Sequence, residues 1–484
     1  AAANTAVGKS ALAETTTGTR NVAVGQNALT TQTTSNNNTA VGYQAGEATT
    51  TSSQVTAIGC YALTANTTGS NNDALGYAAL YSNTIGQYNV GIGTGALENN
   101  TTASSNTAVG YTALQANTTG TRNTAVGRGA MDAITTASDG TALGYLALSA
   151  TTGGSNTAIG SSAMEANTTG TNNAAIGYYA LKANTTAAGN TALGGHTLTL
   201  NTSGADNTAC GYGALYNNTT ASNNTAVGKE ALNANTTGAS NTAVGQNALD
   251  ANTTADANTA IGKDSLTGCT TGEKNTAVGE GTGVSITTGR NNTCIGNAAG
   301  DLLNTGSSNV IIGTYTEANA TDASESTTIG YNNSGYASGY FTVVDPDGKS
   351  YINPGDTSWS GTSDSGYKEN ITTSTAGLSF INDLRPVTFT YRKKKDIETD
   401  LQGYTNDPVN GERYYKGDSS VNHGFIAQEV KTALDNHPEV KDGSGIWQPK
   451  TPEGDGQSLA EGELIPMLVK AIQELSDEID KLKS

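Results

Sequence analysis

The sequence predicts a mainly β protein: a trimeric parallel β-solenoid, or β-roll, of 17-residue repeats, followed by a small α/β domain that ends in a coiled-coil helix. One supporting observation is a glycine, usually preceded by Asn-Thr-Ala-Val, that recurs twenty times within residues 1–330. Another is that all eight prolines, both tryptophans and all four phenylalanines lie after residue 330. A third is the closing series of apolar residues at alternating spacings of three and four, which indicates a coiled-coil seam.

The repeat glycines set the period of the solenoid. Successive glycines are 17 residues apart, with a single step of 16. A period held this strictly is typical of structural units that stack on one another. The glycines are Gly8, Gly25, Gly42, Gly59, Gly76, Gly93, Gly110, Gly127, Gly144, Gly160, Gly177, Gly194, Gly211, Gly228, Gly245, Gly262, Gly279, Gly296, Gly313 and Gly330.

One repeat, Asn106–Arg122, shows what each part of the unit predicts. Ala108 and Val109 precede the glycine on a strand and point to opposite faces, so both faces need a partner. Leu114 supplies one inside the coil, and an identical chain in a symmetric oligomer supplies the other. The Asn-Thr-Thr-Gly segment predicts a turn in which Gly120 is available for a positive φ. A competing interpretation makes Gly-x-x-Ala-Leu-x-Ala one helical turn.

The repeats resemble the heads of trimeric autotransporter adhesins, whose Ala-hydrophobic-Gly strands stack into a parallel β-roll within a trimer. Those repeats are shorter than the 17 residues found here. The leucine position is lost at Gly283, Gly300 and Glu317, so the last repeats are expected to act as atypical capping units.

A tyrosine directly follows the repeat glycine in every second repeat over much of the solenoid. Because coils stack, these tyrosines are expected to form a ladder, and their apolar rings with polar hydroxyls suit stacking on sugar rings. The alternative is that they cover the small residues of a neighbouring coil. The candidate glycan-binding residues are Tyr43, Tyr77, Tyr111, Tyr145, Tyr178 and Tyr212.

Composition excludes several other functions. The net charge of −18 opposes nucleic acid as a partner, and no apolar run is long enough for membrane insertion. The Asp-bearing nonapeptide of calcium-binding rolls is missing, while pairs such as Thr118-Thr119 keep an ice-binding face as an alternative. No cofactor or metal is expected, because the cysteines lie at unrelated spacings without histidine clusters. They are Cys60, Cys210, Cys269 and Cys294.

The sequence changes character after residue 330. Of 66 charged residues, 27 fall in residues 1–330 and 39 in the remaining 154. We therefore predict three domains: the solenoid at 1–330, a connector at 331–362 and a terminal domain at 363–484. An Asp-Pro-Asp-Gly turn after Phe341 predicts a β-hairpin in the connector.

The terminal region contains blocks that mark a second resemblance. Ser363-Asp-Ser-Gly-Tyr-Lys-Glu-Asn, Arg385-Pro-Val-Thr-Phe and His423-Gly-Phe-Ile-Ala-Gln-Glu-Val resemble the self-cleaving intramolecular chaperone of phage tail spikes and fibres, endosialidases among them. The resemblance implies a chaperone that assembles three chains. It also implies cleavage between Thr362 and Ser363, with Ser363 as nucleophile and Lys368 as its base. Gly366 stands where the family usually has arginine, so self-release and a retained cap both stay open.

These patterns together predict a homotrimeric viral tail fibre for host attachment, extracellular on the virion. Its expected partners are its own copies, a host surface glycan or protein receptor, and other tail proteins. A bacterial trimeric surface adhesin or structural filament is the alternative. Apart from a single self-cleavage, no catalytic activity is expected, because a glycan-cleaving site needs two convergent carboxylates and the acids of the repeats are scattered.

Overall fold

The computed structural model describes residues 3–335, 338–345, 348–352, 360–361, 374–396, 421–441, 446–448, 458–459 and 464–483. The chain divides into two compact units, Ala1–Thr362 and Ser363–Ser484.

The first unit is a parallel β-solenoid. Its twenty repeat strands each have three residues, and each pairs in parallel with the strand of the next repeat. The register is constant, as in Ala108 opposite Ala125, and the 16-residue step preserves it with Thr141 opposite Thr157. The repeat strands are Thr5–Val7, Val22–Val24, Thr39–Val41, Thr56–Ile58, Asp73–Leu75, Val90–Ile92, Thr107–Val109, Thr124–Val126, Thr141–Leu143, Thr157–Ile159, Ala174–Ile176, Thr191–Leu193, Thr208–Cys210, Thr225–Val227, Thr242–Val244, Thr259–Ile261, Thr276–Val278, Thr293–Ile295, Val310–Ile312 and Thr327–Ile329. The predicted parallel β-solenoid of 17-residue repeats is confirmed, and each repeat is one coil.

The coil interior is built from small and medium apolar side chains, as predicted. Ala108 of the strand and Ala113 and Leu114 of the following turn are fully buried. The third strand position points the other way, so this column stays half-buried to exposed, with Leu75 and Leu143 each 46% exposed. An apolar column therefore runs along the outer face of the stacked strands, which we call the outer column.

Left-handed backbone at ordinary residues replaces the predicted helical turn. In the 106–122 coil, Thr112, Leu114 and Arg122 have φ of 55°, 52° and 59°. Since a right-handed helix cannot contain such residues, the helical interpretation is wrong. The prediction for Gly120 is wrong as well, because the positive φ of that turn belongs to Arg122. Gly110, with φ 139°, is the repeat glycine that the backbone requires.

Two buried asparagine ladders close and connect the coils. The Asn106 N–H donates to Asn89 Oδ1 at 3.0 Å, and Asn106 Nδ2 donates to the Gly120 carbonyl at 2.9 Å. Asn117 Nδ2 donates to the same Gly120 carbonyl and to Asn100 Oδ1, at 3.0 and 2.9 Å. The side chains thus satisfy the backbone where the strand ladder ends. The first ladder contains Asn21, Asn38, Asn72, Asn89, Asn106, Asn123, Asn156, Asn173, Asn190, Asn207, Asn224, Asn241, Asn258, Asn275, Asn292 and Asn309. The second contains Asn66, Asn83, Asn100, Asn117, Asn167, Asn184, Asn201, Asn218, Asn235 and Asn252.

The end of the solenoid continues into the predicted hairpin. Phe341–Asp345 pairs in parallel with the last repeat strand and antiparallel with Gly348–Ile352. Ser360–Gly361 adds a further antiparallel strand. The last coils are atypical, as expected, since a separate two-stranded sheet pairs Thr316–Glu317 with Asn333–Ser334. The connector therefore extends the solenoid sheet.

The second unit is small and mixed. Its helices are Leu378–Asp383 (α1), Ala427–Asn436 (α2), Pro438–Lys441 (α3) and Ile465–Lys483 (α4), with a 3₁₀ turn at Lys394–Asp396. Its strands pair antiparallel as Val387–Phe389 with Asn422–Gly424 and Trp447–Gln448 with Ser458–Leu459. Phe380, Val430 and Leu434 form the centre of its apolar core. The unit ends in a helix, as predicted.

Candidate functional site

The six predicted tyrosines lie on the surface of the first unit. Each follows a repeat glycine two coils after the previous one, and every one is exposed, from 39% at Tyr43 to 56% at Tyr212. Two coils correspond to roughly 10 Å along a stack of paired strands. The exposed parts of these rings are available to a ligand, although one face of Tyr178 stacks on Tyr179 at a centroid distance of 3.8 Å. The role of the tyrosine ladder in binding stays a prediction.

Three pairs of ladder tyrosines are bridged by one side chain from the coil between them. The Tyr61 ring lies edge-on to Tyr43 and Tyr77, at centroid distances of 5.4 and 5.8 Å. Desolvation raises the pKa of Tyr61, and the nearby Tyr43 adds to the shift, so its phenol stays neutral at ordinary pH. The bridge is an aromatic cluster held by ring-edge contacts.

The other two bridges are an arginine and a histidine side chain. Arg128 places its guanidinium carbon 5.8 Å from the Tyr111 ring centre and 5.7 Å from that of Tyr145. His196 lies edge-on to Tyr178 at 5.4 Å and contacts Tyr212 at 5.6 Å. Cation–π attraction therefore adds to the bridge at Arg128.

The sequence pattern did not predict the bridging residues, because they stand at two different positions after the repeat glycine. Arg128 directly follows its repeat glycine, whereas Tyr61 and His196 are second after theirs. The available signal was an aromatic, imidazole or guanidinium group within two residues of the glycine in a coil between two tyrosines.

The predicted cleavage site, Thr362 and Ser363 with Lys368, lies outside the described residues. Among the described residues of the second unit, two hydrogen bonds to carboxylates connect the helices. The Leu378 N–H at the start of α1 donates to Glu474 Oε2 of α4 at 2.8 Å, and this bond lowers the pKa of Glu474. His437 Nε2 lies 2.8 Å from Asp383 Oδ2. These contacts tie α1 to α4 and to the end of α2.

Helix α4 leaves its apolar seam exposed within the second unit. Ile472 is 66% exposed and Leu475 is 47% exposed, whereas Ala471 of the same helix is buried. The seam consists of Ile465, Leu468, Ile472, Leu475, Ile479 and Leu482. One face of α4 thus packs on its own chain and another presents a coiled-coil pattern to the outside.

The cysteines behave as small apolar residues. Cys269 stands in the second asparagine ladder and donates its Sγ–H to the Gly272 carbonyl at 3.2 Å. Burial raises the pKa of its thiol to about 11 and that of Cys294 to about 12, so both stay protonated. Cys60 and Cys210 are half-buried, and all four are free thiols. Across the described ranges, no cluster of three or more histidine, cysteine or acidic residues could hold a metal ion.

Comparison with known proteins identifies one segment. The family model described as chaperone of endosialidase matches residues 363–437, which include α1, the paired strands Val387–Phe389 and Asn422–Gly424, and α2. No curated protein and no solved structure matches the chain. Within the described parts of the chain, no helix is both long and apolar enough to cross a bilayer. The chain therefore joins a twenty-coil solenoid to a segment similar to the endosialidase chaperone.

Proposed function

We propose that the chain is a homotrimeric tail fibre that attaches a virion to its host. The observation that carries this proposal is the chaperone match at residues 363–437 on a chain whose remainder is a long solenoid. A chaperone of this family placed after a solenoid favours a tail fibre over a bacterial surface adhesin or filament. The solenoid is the extracellular shaft, and its partners are host receptors and other tail proteins.

Two apolar surfaces support assembly of identical chains. The outer column of the solenoid and the α4 seam both present Val, Ile or Leu at regular spacings. Exposed apolar surfaces of this extent mark contact sites. In a symmetric assembly, the same column of each chain meets its copies, and the α4 helices pack around one axis.

Self-release follows from the same family resemblance. Lys368, neutral when desolvated, takes the proton from the Ser363 hydroxyl, and Oγ attacks the Thr362 carbonyl carbon. The C–N bond breaks, the amine of Ser363 takes up the proton, and water then hydrolyses the ester that joins Thr362 to Oγ. The products are a shaft ending at Thr362 and a fragment beginning at Ser363.

Mass photometry of the full chain, in the Ser363→Ala background that keeps both units joined, tests the trimer. We expect three chains per particle for this protein. Ile472→Asp in the α4 seam should reduce the trimer fraction, whereas Gln473→Asp, exposed beside the seam, should leave it unchanged. A monomer at micromolar concentration, or equal behaviour of both variants, contradicts the proposed assembly.

A further inference from the structure

At two positions along the tyrosine ladder, the coil between two tyrosines contributes no large side chain that could bridge them. Between Tyr77 and Tyr111 the intermediate coil contributes exposed Thr94 and then Gly95. Between Tyr145 and Tyr178 it contributes Ser161 and Ser162. We call these two places the Thr94 notch and the Ser161 notch, after the small hydroxyl residue that follows the repeat glycine in each.

The notches alternate with the bridged pairs. Along the ladder the order is the Tyr61 bridge, the Thr94 notch, the Arg128 bridge, the Ser161 notch and the His196 bridge. Each notch thus has a tyrosine on both sides, and each tyrosine contacts a bridging side chain on its other side. Contacts with the bridges restrain the walls before a ligand arrives, which reduces the entropy lost on binding.

Polar groups border the Thr94 notch. A methyl group added to Gly95 would lie 3.3 Å from Glu98 Oε2 and 3.6 Å from Gln115 Nε2. These two groups are themselves linked, because Gln115 Nε2 donates to Glu98 Oε2 at 2.5 Å. Aromatic walls beside a carboxylate, an amide and a hydroxyl fit a sugar, which has an apolar ring face and hydroxyls at its edge.

The charges beside the notch indicate a neutral sugar. Glu98 borders the Thr94 notch, Glu165 lies five residues after Gly160 in the coil of the Ser161 notch, and the whole chain carries a net charge of −18. Glu165 Oε2 lies 3.6 Å from Lys182 Nζ, so this pair adds no net charge at the Ser161 notch. A polyanionic glycan would meet the Glu98 carboxylate at the Thr94 notch and the net negative charge of the chain.

The ladder period fixes the ligand's geometry. Ladder tyrosines recur every two coils, or about 10 Å, and the notches are four coils, or about 19 Å, apart. A disaccharide of an extended β-1,4-linked chain spans the shorter distance, and every second sugar of such a chain presents the same face. On the basis of the proposed attachment function, we infer that the two notches bind a neutral, linear β-1,4-linked polysaccharide lying along the stacking direction.

Calorimetric titration of the full chain with cellohexaose and with chitohexaose tests this inference. At least one hexasaccharide should bind, and it should bind more tightly than its own disaccharide, which reaches a single notch. Isomaltohexaose, a flexible α-1,6-linked control of equal length, should not bind. Tyr111→Ser should weaken binding about tenfold, which corresponds to about 1.4 kcal/mol of ring stacking.

Matched variants separate stacking from folding. Tyr111→Phe keeps the ring and should retain binding, and Tyr212→Ser, at the end of the ladder outside both notches, should have little effect. Thr94→Tyr should fill its notch and reduce the number of sugar units that bind. Each variant is first checked for trimer content.

Failure of both hexasaccharides to bind, or equal losses for Tyr111→Ser and Tyr212→Ser, overturns the inference. These outcomes are distinct from failure of the proposed function, which mass photometry and attachment to host cells report. A trimer that attaches to cells but ignores both hexasaccharides refutes the polysaccharide notches alone. A chain that stays monomeric refutes the fibre.

Discussion

Removing one asparagine from the first ladder gives a quantitative test of how the coils are joined. Asn241 is fully buried, and its N–H donates to Asn224 Oδ1 at 2.9 Å. Its Oδ1 accepts the Asn258 N–H at 2.9 Å, and its Nδ2 donates to the Ala255 carbonyl at 2.8 Å. Asn241→Ala removes the last two bonds and leaves the first in place.

The expected cost is set mainly by the Asn258 N–H. A buried donor left without a partner costs about 1–3 kcal/mol, and loss of an ordinary hydrogen bond costs about 0.5–1.5 kcal/mol. The Ala255 carbonyl retains a donor, Asn252 Nδ2 at 3.1 Å, so only the smaller cost applies there. We therefore expect Asn241→Ala to destabilise the coil by roughly 2–4 kcal/mol.

Native-state hydrogen exchange followed by mass spectrometry measures this locally, which suits a repeat protein whose coils open separately. The peptide containing the Asn258 amide should lose protection in Asn241→Ala. Asn241→Leu keeps most of the volume without the polar atoms, so a similar loss there assigns the effect to hydrogen bonding. Gln246→Ala, exposed on the same coil, should change protection by no more than about 0.5 kcal/mol.

Equal protection in Asn241→Ala and Gln246→Ala would contradict the stabilising role assigned to the Asn241 hydrogen bonds. If the peptide containing the Asn258 amide loses protection in Asn241→Ala but not in Asn241→Leu, the cause is lost packing and not lost hydrogen bonding.

Two further predictions concern the ends of the chain's units. Over hours after expression, denaturing electrophoresis should show a fragment whose first residue is Ser363, and both Ser363→Ala and Lys368→Ala should stay whole; a whole wild-type trimer means a retained cap. Glu317 has a pKa raised to about 8, first by desolvation and then by its hydrogen bond with Asp301. Because the folded state prefers the protonated carboxyl, this contribution to stability is complete below about pH 4.5 and is lost as pH rises through 8. Exchange protection around Leu302, corrected for intrinsic rates, should fall as pH rises through 8 in the wild type but not in Glu317→Gln. The exposed Glu325→Gln is the control and should behave like the wild type. A wild-type protection that does not change with pH contradicts the raised pKa of Glu317.

The period carried most of the fold information in the sequence. Strict recurrence of the glycine located every repeat strand, and Leu114 was correctly placed inside because apolar residues that recur once per coil must share an environment. The local propensities of the residues did not predict the positive φ values at the turns. Leucine and threonine rarely adopt a positive φ, so the identity of Thr112 or Leu114 does not predict one.

The asparagine ladders were missed for a different reason. Asparagine is common in turns, and that role accounts for Asn-Thr-Thr-Gly without any contact between coils. The overlooked signal was a column of identical amides, since turn chemistry alone would also accept Asp, Ser or Gly. Ile134 shows the consequence of a break: it follows Asn117 in the second ladder, and within the described chain Asn117 Oδ1 has no hydrogen-bond donor. The site predictions divide similarly: the surface tyrosines could be located from the period, whereas the bridging residues stand at two different positions after the glycine and the period alone does not locate them.

The constant register also has a consequence for how this protein can change in evolution. Because the top of almost every coil offers the same amides and carbonyls as its neighbours, a gene duplication or deletion of one whole repeat preserves all contacts at the junction. Shaft length can then change in increments of about 4.8 Å without redesign of the interior. The short step between Gly144 and Gly160 shows that one residue can be lost from a turn while the strands stay aligned. Duplication or deletion of one repeat inside the tyrosine ladder, in contrast, would shift every later tyrosine by one coil relative to the earlier ones. Selection for ligand binding would therefore oppose such a change in the ladder, although the rest of the shaft tolerates it.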